Sequence, residues 1–245
     1  MAPPAEPSRF SREGSSFGPG PFRWLWEGIR PVLVALFLLL LVRGLFVEAF
    51  KIPTGSMEET LLVGDFLLVN KAAYGAELPG MDVSILPAAD PQRGDVVIFN
   101  PPHDPKKHYV KRVVGVPGDT LQMARKELRV NGRDKTEPYV THLDPSGDAV
   151  HPDMRWQERY LVTPSDSTYR PTRDTWGPLV VPHGRYFVLG DSRDNSEDSR
   201  YWGFVEREAV RGRPLFIYYS VAMDERSAMG WVREIRWARI GGRIR

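Results

Sequence analysis

The sequence predicts a mostly β protein: an antiparallel β-sheet ectodomain with an inserted β/loop subdomain, preceded by one N-terminal transmembrane helix. Three observations lead to this prediction. A long apolar run lies close to the N-terminus, short β-branched and aromatic segments follow it, and a proline-rich stretch separates two groups of those segments. Apolar residues make up 42% of the chain and charged residues 26%, which is typical of a folded globular protein.

The apolar run predicts a transmembrane anchor over residues 23–50. The run is uninterrupted from residue 31 to residue 42 and resumes after Arg43. A bilayer core needs about 20 helical residues. Trp24 and Trp26 suit one membrane interface, and Arg43 lies near enough to the other end for its side chain to reach the headgroups.

Basic residues set the expected orientation of this anchor. Residues 1–22 are rich in Pro, Gly and Ser, which predicts a disordered cytoplasmic tail. Arg12, Arg23 and Arg30 precede the apolar run, whereas few basic residues follow it closely. Since positive charge favours the cytoplasmic side, we expect the N-terminus in the cytoplasm and everything after residue 50 outside.

The alternative for this segment is a cleaved signal peptide. Val47-Glu-Ala49 has the small-x-small pattern of a cleavage site. The long positive region before the apolar run favours retention, and so does Arg43, which lies between the run and that site. Whether the anchor is ever cleaved after Ala49 stays open at this point.

After residue 51 the pattern changes to short β-type segments bounded by Gly, Pro or Asp. Five of them predict strands: 65–69, 95–99, 109–114, 185–189 and 214–219. An Asn-Gly pair within residues 127–133 suits a tight hairpin. Prolines recur through residues 119–185, so we expect the inserted subdomain there, between core parts at residues 51–118 and 186–245.

The composition excludes several kinds of chemistry. The chain has no cysteine, so disulfides, thiolate metal sites and a cysteine nucleophile are excluded. Its five histidines show no metal-binding spacing, and we expect neither a metal nor a cofactor. The net charge of +2 indicates no particular class of partner.

Two segments carry groups that suit nucleophilic catalysis. In the run Ile-Pro-Thr-Gly-Ser-Met, Gly55 allows a sharp turn that would expose the Ser56 hydroxyl. A serine hydroxyl becomes a good nucleophile only beside a base. In the strand predicted around residue 111, alternation must put either Lys111 or Arg112 among apolar neighbours. Burial lowers the pKa of a lysine and so yields a neutral base, whereas arginine stays protonated.

A third segment, residues 190–204, is dense in polar side chains and contains flanking glycines. Its aromatic residues near the end would anchor it in a core, which favours a tightly hydrogen-bonded loop over disorder. Its acids can pair with its arginines: Asp191, Asp194 and Asp198 with Arg193 and Arg200.

Together the three segments resemble the signature boxes of bacterial type I signal peptidases, a family of Ser/Lys-dyad serine proteases. The matching stretches are residues 52–74, 93–119 and 190–205, and residues 239–242 add a weaker match. They follow the predicted membrane segment in the order that the family shows.

The resemblance implies a role for each matching position. Ser56 corresponds to the nucleophile and Lys111 to the general base. Thr54 takes the place of a Ser or Thr that helps the Ser56 amide to stabilise the oxyanion, and Ser196 resembles the serine that orients the lysine amine. Three further positions resemble structural support for the dyad: Arg193 and Asp198 as an ion pair, and Arg200 as a third member.

The family also implies an activity and a location. The expected activity is a membrane-bound endopeptidase that removes N-terminal signal peptides from exported preproteins after small-x-small sites. The expected location is the bacterial inner membrane, with a single pass and the catalytic domain outside. The implied partners are preproteins, membrane lipid and, by proximity, the export machinery, and no nucleic acid is expected.

Two other readings stay open beside this one. The chain could be another Ser/Lys processing protease, although it lacks the DNA-binding head of the self-cleaving repressor-type proteins. It could also be a catalytically inactive membrane-anchored binding protein with the same fold. The presence of both Ser56 and Lys111 argues against inactivity.

Overall fold

The computed structural model describes residues 21–75, 89–145, 149–163, 169–222 and 234–244. The chain divides into two compact units, residues 1–42 and residues 43–245, and each is described by itself. Every candidate site residue named above belongs to the second unit.

Helix α1 runs from Pro21 to Phe46 and covers most of the segment predicted as an anchor. Among the described residues, no helix combines the length and the apolarity that a bilayer crossing requires. The predicted anchor extended to residue 50, but the helix ends earlier. Val47–Lys51 forms a strand instead, because its backbone pairs with the strand Asp65–Asn70.

The strands of the described residues follow in chain order, and a second short helix lies between the ninth and the tenth. They are β1 (Val47–Lys51), β2 (Asp65–Asn70), β3 (Val96–Phe99), β4 (Tyr109–Gly115), β5 (Thr120–Ala124), β6 (Glu127–Val130), β7 (Arg133–Asp134), β8 (Trp176–Val180), β9 (Arg185–Leu189), α2 (Ser199–Trp202), β10 (Val205–Glu206), β11 (Val210–Ala222) and β12 (Glu234–Ile235). Each of the five segments predicted as strands lies largely or wholly within one of these strands.

Eight of these strands form one antiparallel sheet. Its order is β1-β2-β11-β3-β4-β9-β10, and β12 pairs with β11. β4 lies between β3 and β9, and its last five residues, 111–115, are all buried. A strand that is covered on both faces reads as a continuous buried run rather than an alternating one. The predicted mostly β, antiparallel fold is confirmed.

The remaining four strands form a second antiparallel sheet, in the order β7-β6-β5-β8. The predicted hairpin joins β6 to β7 through Asn131 and Gly132, whose φ angles are 53° and 75°. Positive φ at both central residues is what the tight hairpin turn of type I′ requires. All four strands lie between residues 119 and 185, and the boundaries of the inserted subdomain stay a prediction.

An apolar core fixes the segment between β1 and β2. Met57 and Leu61 are 1% and 0% exposed and pack with Leu67 and Ile98. The Leu61 amide also donates a hydrogen bond to the Met57 carbonyl, at 2.7 Å. Truncating a buried side chain of this size to alanine costs about 2–5 kcal/mol. The packing of Met57 and Leu61 in this core therefore fixes the turn that carries Ser56.

Candidate active site

Ser56 lies in the turn between β1 and β2. The Glu58 amide donates to the Gly55 carbonyl at 3.0 Å, which closes the turn. The Ser192 amide donates to the Ser56 carbonyl at 3.2 Å, which ties the turn to the loop after β9. The backbone of Ser56 is thus fixed from two directions while its side chain faces a cleft.

Lys111 reaches this serine from β4. Its Nζ lies 2.5 Å from Ser56 Oγ, and its residue is 4% exposed. The lysine pairs across the sheet with Val97 of β3, and the Tyr109 ring centroid lies 6.0 Å from Nζ. The two residues predicted as a dyad are therefore in direct contact.

Burial lowers the pKa of Lys111 to about 8, because it removes the ammonium from water. Asp198 acts in the opposite direction, and Arg200 adds to the lowering. Glu197 and Asp191 also act in the opposite direction, and the two buried acids, Asp198 and Asp191, already have an arginine counter-ion. Asp198 pairs with Arg200, and Asp191 pairs with Arg112. Among the described side chains, Lys111 has no counter-ion of its own, so desolvation decides its charge.

Ser196 makes a different hydrogen bond from the one expected. Its Oγ donates to Asp198 Oδ2 at 2.8 Å, and the hydrogen bond of the lysine amine goes to Ser56. The described residues show no hydrogen bond between Ser196 and Lys111, and the part of Ser196 in orienting the lysine amine stays a prediction. An ionised carboxylate is the stronger acceptor, and burial alone would oppose that ionisation. Two hydrogen bonds of 2.8 Å from Arg200 outweigh the burial, so the pKa of Asp198 lies below its ordinary value.

The predicted ion pair between Arg193 and Asp198 is wrong. Arg193 pairs with Glu137 at 2.8 Å, and its Nε donates to the Gly190 carbonyl at 3.1 Å. Both oxygens of Asp198 are already occupied by the guanidinium of Arg200, with the Ser196 hydroxyl as a further donor. Arg200, which was predicted only as a third member of this ion pair, is the bidentate partner of Asp198.

Ser56 and Lys111 both line an open cleft of about 920 Å³. Thr54 is exposed and lines the same cleft as Ser56 and Lys111, and its part in an oxyanion site stays a prediction. The other lining residues include apolar side chains beside β1 and β4 and polar ones on the loop after β9: Phe50, Ile52, Val110, Asn195 and Glu197. The cleft is large enough for an extended peptide segment.

Sequence reasoning missed a second buried ion pair behind the dyad. Arg112 is 1% exposed, and its Nε and Nη2 donate to the Asp191 carboxylate at 2.8 and 2.6 Å. We expected only one of the two adjacent cations, Lys111 or Arg112, to be buried. Both are buried, because β4 is covered on both faces. The sequence did contain a signal for this ion pair. A second buried cation beside Lys111 requires an acid as its partner, and Asp191, directly after Gly190, was an available one.

The sequence matches the family described as "Signal peptidase, peptidase S26" over residues 25–219. The chain belongs to this family. A signal peptidase I of Pseudomonas aeruginosa is 46% identical over 199 residues, which cover 76% of this chain and 69% of that one. A signal peptidase I of Aquifex aeolicus is 32% identical over 257 residues, covering 88% and 96%. Membership in this signal peptidase family makes the chain a peptidase and hence a hydrolase.

A solved structure is similar to part of this chain. It is a crystal structure of a signal peptidase I from Enterococcus faecalis, 32% identical, covering 51% of this chain and 97% of that one. The TM-score of the two structures is 0.34.

Proposed function

We propose that this chain is a membrane-bound serine endopeptidase that removes N-terminal signal peptides from exported preproteins after small-x-small sites. The observation that supports this most directly is the 2.5 Å contact between Lys111 Nζ and Ser56 Oγ at an open cleft. The low exposure of Lys111 favours the neutral amine that a general base needs. The relatives named signal peptidase I point to the same substrate class.

In the acylation step, Ser56 Oγ attacks the carbonyl carbon of the scissile peptide bond while neutral Lys111 takes the hydroxyl proton. The Thr54 hydroxyl and the Ser56 amide stabilise the negative oxygen that forms on the substrate. When the C–N bond breaks, the Lys111 ammonium gives its proton to the leaving amine. The mature protein leaves, and the signal peptide stays bound to Ser56 as an ester.

In the deacylation step, water replaces the leaving amine. Lys111 is neutral again and takes a proton from this water while the water oxygen attacks the ester carbonyl. The C–O bond to Ser56 then breaks, and the proton returns from Lys111 to Ser56 Oγ. No step requires a metal or a cofactor.

We place the enzyme in the bacterial inner membrane. The helical residues 23–46 supply the anchor, residues 1–22 the cytoplasmic tail, and the catalytic unit lies on the outer side, next to lipid and to the export machinery. The apolar run and the arginines before it support this topology. Residues 51–118 and 186–245 form the two parts of the catalytic core, and residues 119–185 its inserted subdomain.

The test of this function is the cleavage of a preprotein with an Ala-x-Ala site by the detergent-solubilised full chain. Ser56→Ala and Lys111→Ala should each abolish cleavage with the fold intact, because either removes one half of the dyad. A Lys111→Ala variant that kept more than about a tenth of the rate would show that another group is the base.

A matched substrate separates a signal peptidase from a general protease. Replacing Ala by Leu at the residue before the cleaved bond should lower turnover by about 10²-fold or more, because a pocket for a methyl group rejects larger side chains by steric overlap. Equal turnover of the two preproteins would reject the small-x-small specificity.

A further inference from the structure

Three parts of the catalytic machinery meet at one buried carboxylate. Asp191 is 0% exposed and accepts two hydrogen bonds from Arg112, the residue after Lys111. It also accepts one from Thr60 Oγ1 at 2.6 Å, and Thr60 lies in the segment after Ser56. The carboxylate therefore joins the strand that carries the base to the segment that carries the nucleophile.

A short segment from elsewhere in the chain holds this carboxylate in place. We call residues 137–141 the strap. The Thr141 amide donates to the Asp191 carbonyl at 3.0 Å, and the Arg193 amide donates to the Thr141 carbonyl at 3.1 Å. These two bonds form a parallel bridge between the strap and the loop after β9. The intervening residue, Ser192, is the one whose amide binds the Ser56 carbonyl.

The side chains of the strap complete the contact. The Tyr139 ring covers the guanidinium of Arg112, with 3.8 Å between the ring centroid and Cζ. The Tyr139 hydroxyl donates to Glu137 Oε1 at 3.1 Å, and the same oxygen accepts from Arg193 at 2.8 Å. Stacking on an aromatic face stabilises a guanidinium most where water is excluded, as it is around Arg112.

We propose that Tyr139 is a positioning residue for the Ser56–Lys111 dyad and acts through Arg112 and Asp191. Tyr139 is not among the described residues that line the cleft. Its ring keeps water from the Arg112–Asp191 pair, and the pair fixes the relative position of nucleophile and base. The kinetic test of this proposal rests on the proposed function, whereas the contacts that support the proposal do not.

Two substitutions separate the ring from the hydroxyl. Tyr139→Leu removes the aromatic face and should lower kcat at pH 7 by about tenfold or more with KM within about twofold, because small displacements of a catalytic pair are costly. A displaced Arg112 also leaves the Asp191 carboxylate less well neutralised, and this carboxylate raises the pKa of Lys111, so the acidic limb of the pH–rate profile moves to higher pH. Tyr139→Phe keeps the ring and should keep kcat within about threefold and the acidic limb unmoved.

Tyr169→Leu is the matched control for loss of a half-buried tyrosine. The Tyr169 hydroxyl donates to Gln157 at 2.7 Å and accepts from the Gly177 amide, away from the dyad. Tyr169→Leu should lower the Tm without moving the acidic limb. If Tyr139→Leu behaves in the same way as this control, Tyr139 is merely structural and the inference is overturned.

A readout without substrate keeps the inference separate from the proposed function. NMR of lysine-labelled protein follows the titration of Lys111 in the wild-type chain and in Tyr139→Leu, with Lys111→Met to assign the signal. An upward displacement of this titration in Tyr139→Leu supports the inference even if the wild-type chain cleaves no preprotein, which would reject the function alone. An unmoved titration overturns the inference even if cleavage by the wild-type chain establishes the function.

Discussion

At the scale of single residues, the proposed mechanism requires a lysine whose environment is unfavourable for its charge. Burial lowers the pKa of Lys111 from its ordinary 10.5 to about 8. Below pH 8 both the folded and the unfolded chain carry the proton, and the folded chain holds it at a cost of about 3 kcal/mol. Between pH 8 and 10.5 only the unfolded chain holds it, so stability rises with pH in this window.

A neutral residue of similar shape should therefore stabilise the fold while it abolishes cleavage. Lys111→Met should raise the free energy of unfolding at pH 7 by up to about 3 kcal/mol. The advantage should shrink above pH 8 and vanish near pH 10.5, because the wild-type lysine is then neutral in both states. Thermal unfolding of the two proteins at pH 7 and pH 10 measures this. A Lys111→Met variant that is no more stable than wild type at pH 7 would mean that the buried amine is not destabilising.

At the scale of elements, the turn that carries Ser56 and the loop after β9 pack too closely for a side chain to fit between them. A Cβ on Gly190 would overlap both Ser196 Oγ and the Ser56 carbonyl oxygen. Backbone atoms cannot move aside without displacing the turn, so overpacking here acts on the dyad directly. Glycine at this position is therefore required for a close approach of two backbone segments.

Gly190→Ala should lower cleavage by at least about tenfold and destabilise the fold by about 1–3 kcal/mol. Gly132→Ala is the control, since that glycine needs a positive φ of 75° but has open space around it. Its strain should cost about 1 kcal/mol and leave kcat unchanged. Steady-state kinetics with urea unfolding of both variants distinguish the two effects. Equal kinetics in Gly190→Ala and Gly132→Ala would show that the loop tolerates the methyl group.

The elements also show where reading the sequence succeeds and where it fails. Five of the eight strands of the main sheet were predictable, because their β-branched or aromatic runs end at Gly, Pro or Asp. β8 was not predicted, since Gly177 and Pro178 in its centre argue against a strand, but pairing with β5 overrides that local preference. Similarly, the helix ends at Phe46, before residue 50, and an apolar run does not show where backbone pairing with β2 begins.

At the scale of the whole molecule, the motifs gave the residues of the site but not the partners that lie far away in sequence. Ser56 and Lys111 were found from the three segments taken together and from the family that these segments resemble. The partner of Arg193 was missed because Glu137 lies 56 residues away, in a stretch whose prolines and charges show no pattern. Contacts of this kind follow from how the segments pack in space, and spacing within one segment cannot reveal them.

The C-terminal segment, residues 234–244, provides a further long-range contact that reaches the site. Arg239 Nη2 donates to Asp65 Oδ2 at 2.6 Å and to the Thr60 carbonyl at 3.0 Å. Asp65 is 0% exposed and also accepts from Ser220 Oγ at 2.6 Å. Burial alone would raise the pKa of Asp65, but the hydrogen bonds from Arg239 and Ser220 outweigh it and hold the pKa below its ordinary 3.8.

Arg239→Ala should therefore make the whole catalytic unit sensitive to acid. A carboxylate with a depressed pKa contributes stability above pH 3.8, and that contribution is lost as pH falls through its folded pKa. Without Arg239 the folded pKa of Asp65 rises, so the fold loses about 3 kcal/mol at neutral pH and unfolds at higher pH on acidification. Arg243→Ala, at an exposed arginine of the same segment, should stay within about 0.5 kcal/mol of wild type. Acid titrations monitored by circular dichroism measure the unfolding midpoints, and a midpoint of Arg239→Ala equal to that of Arg243→Ala would show that the C-terminal segment does not stabilise the buried carboxylate.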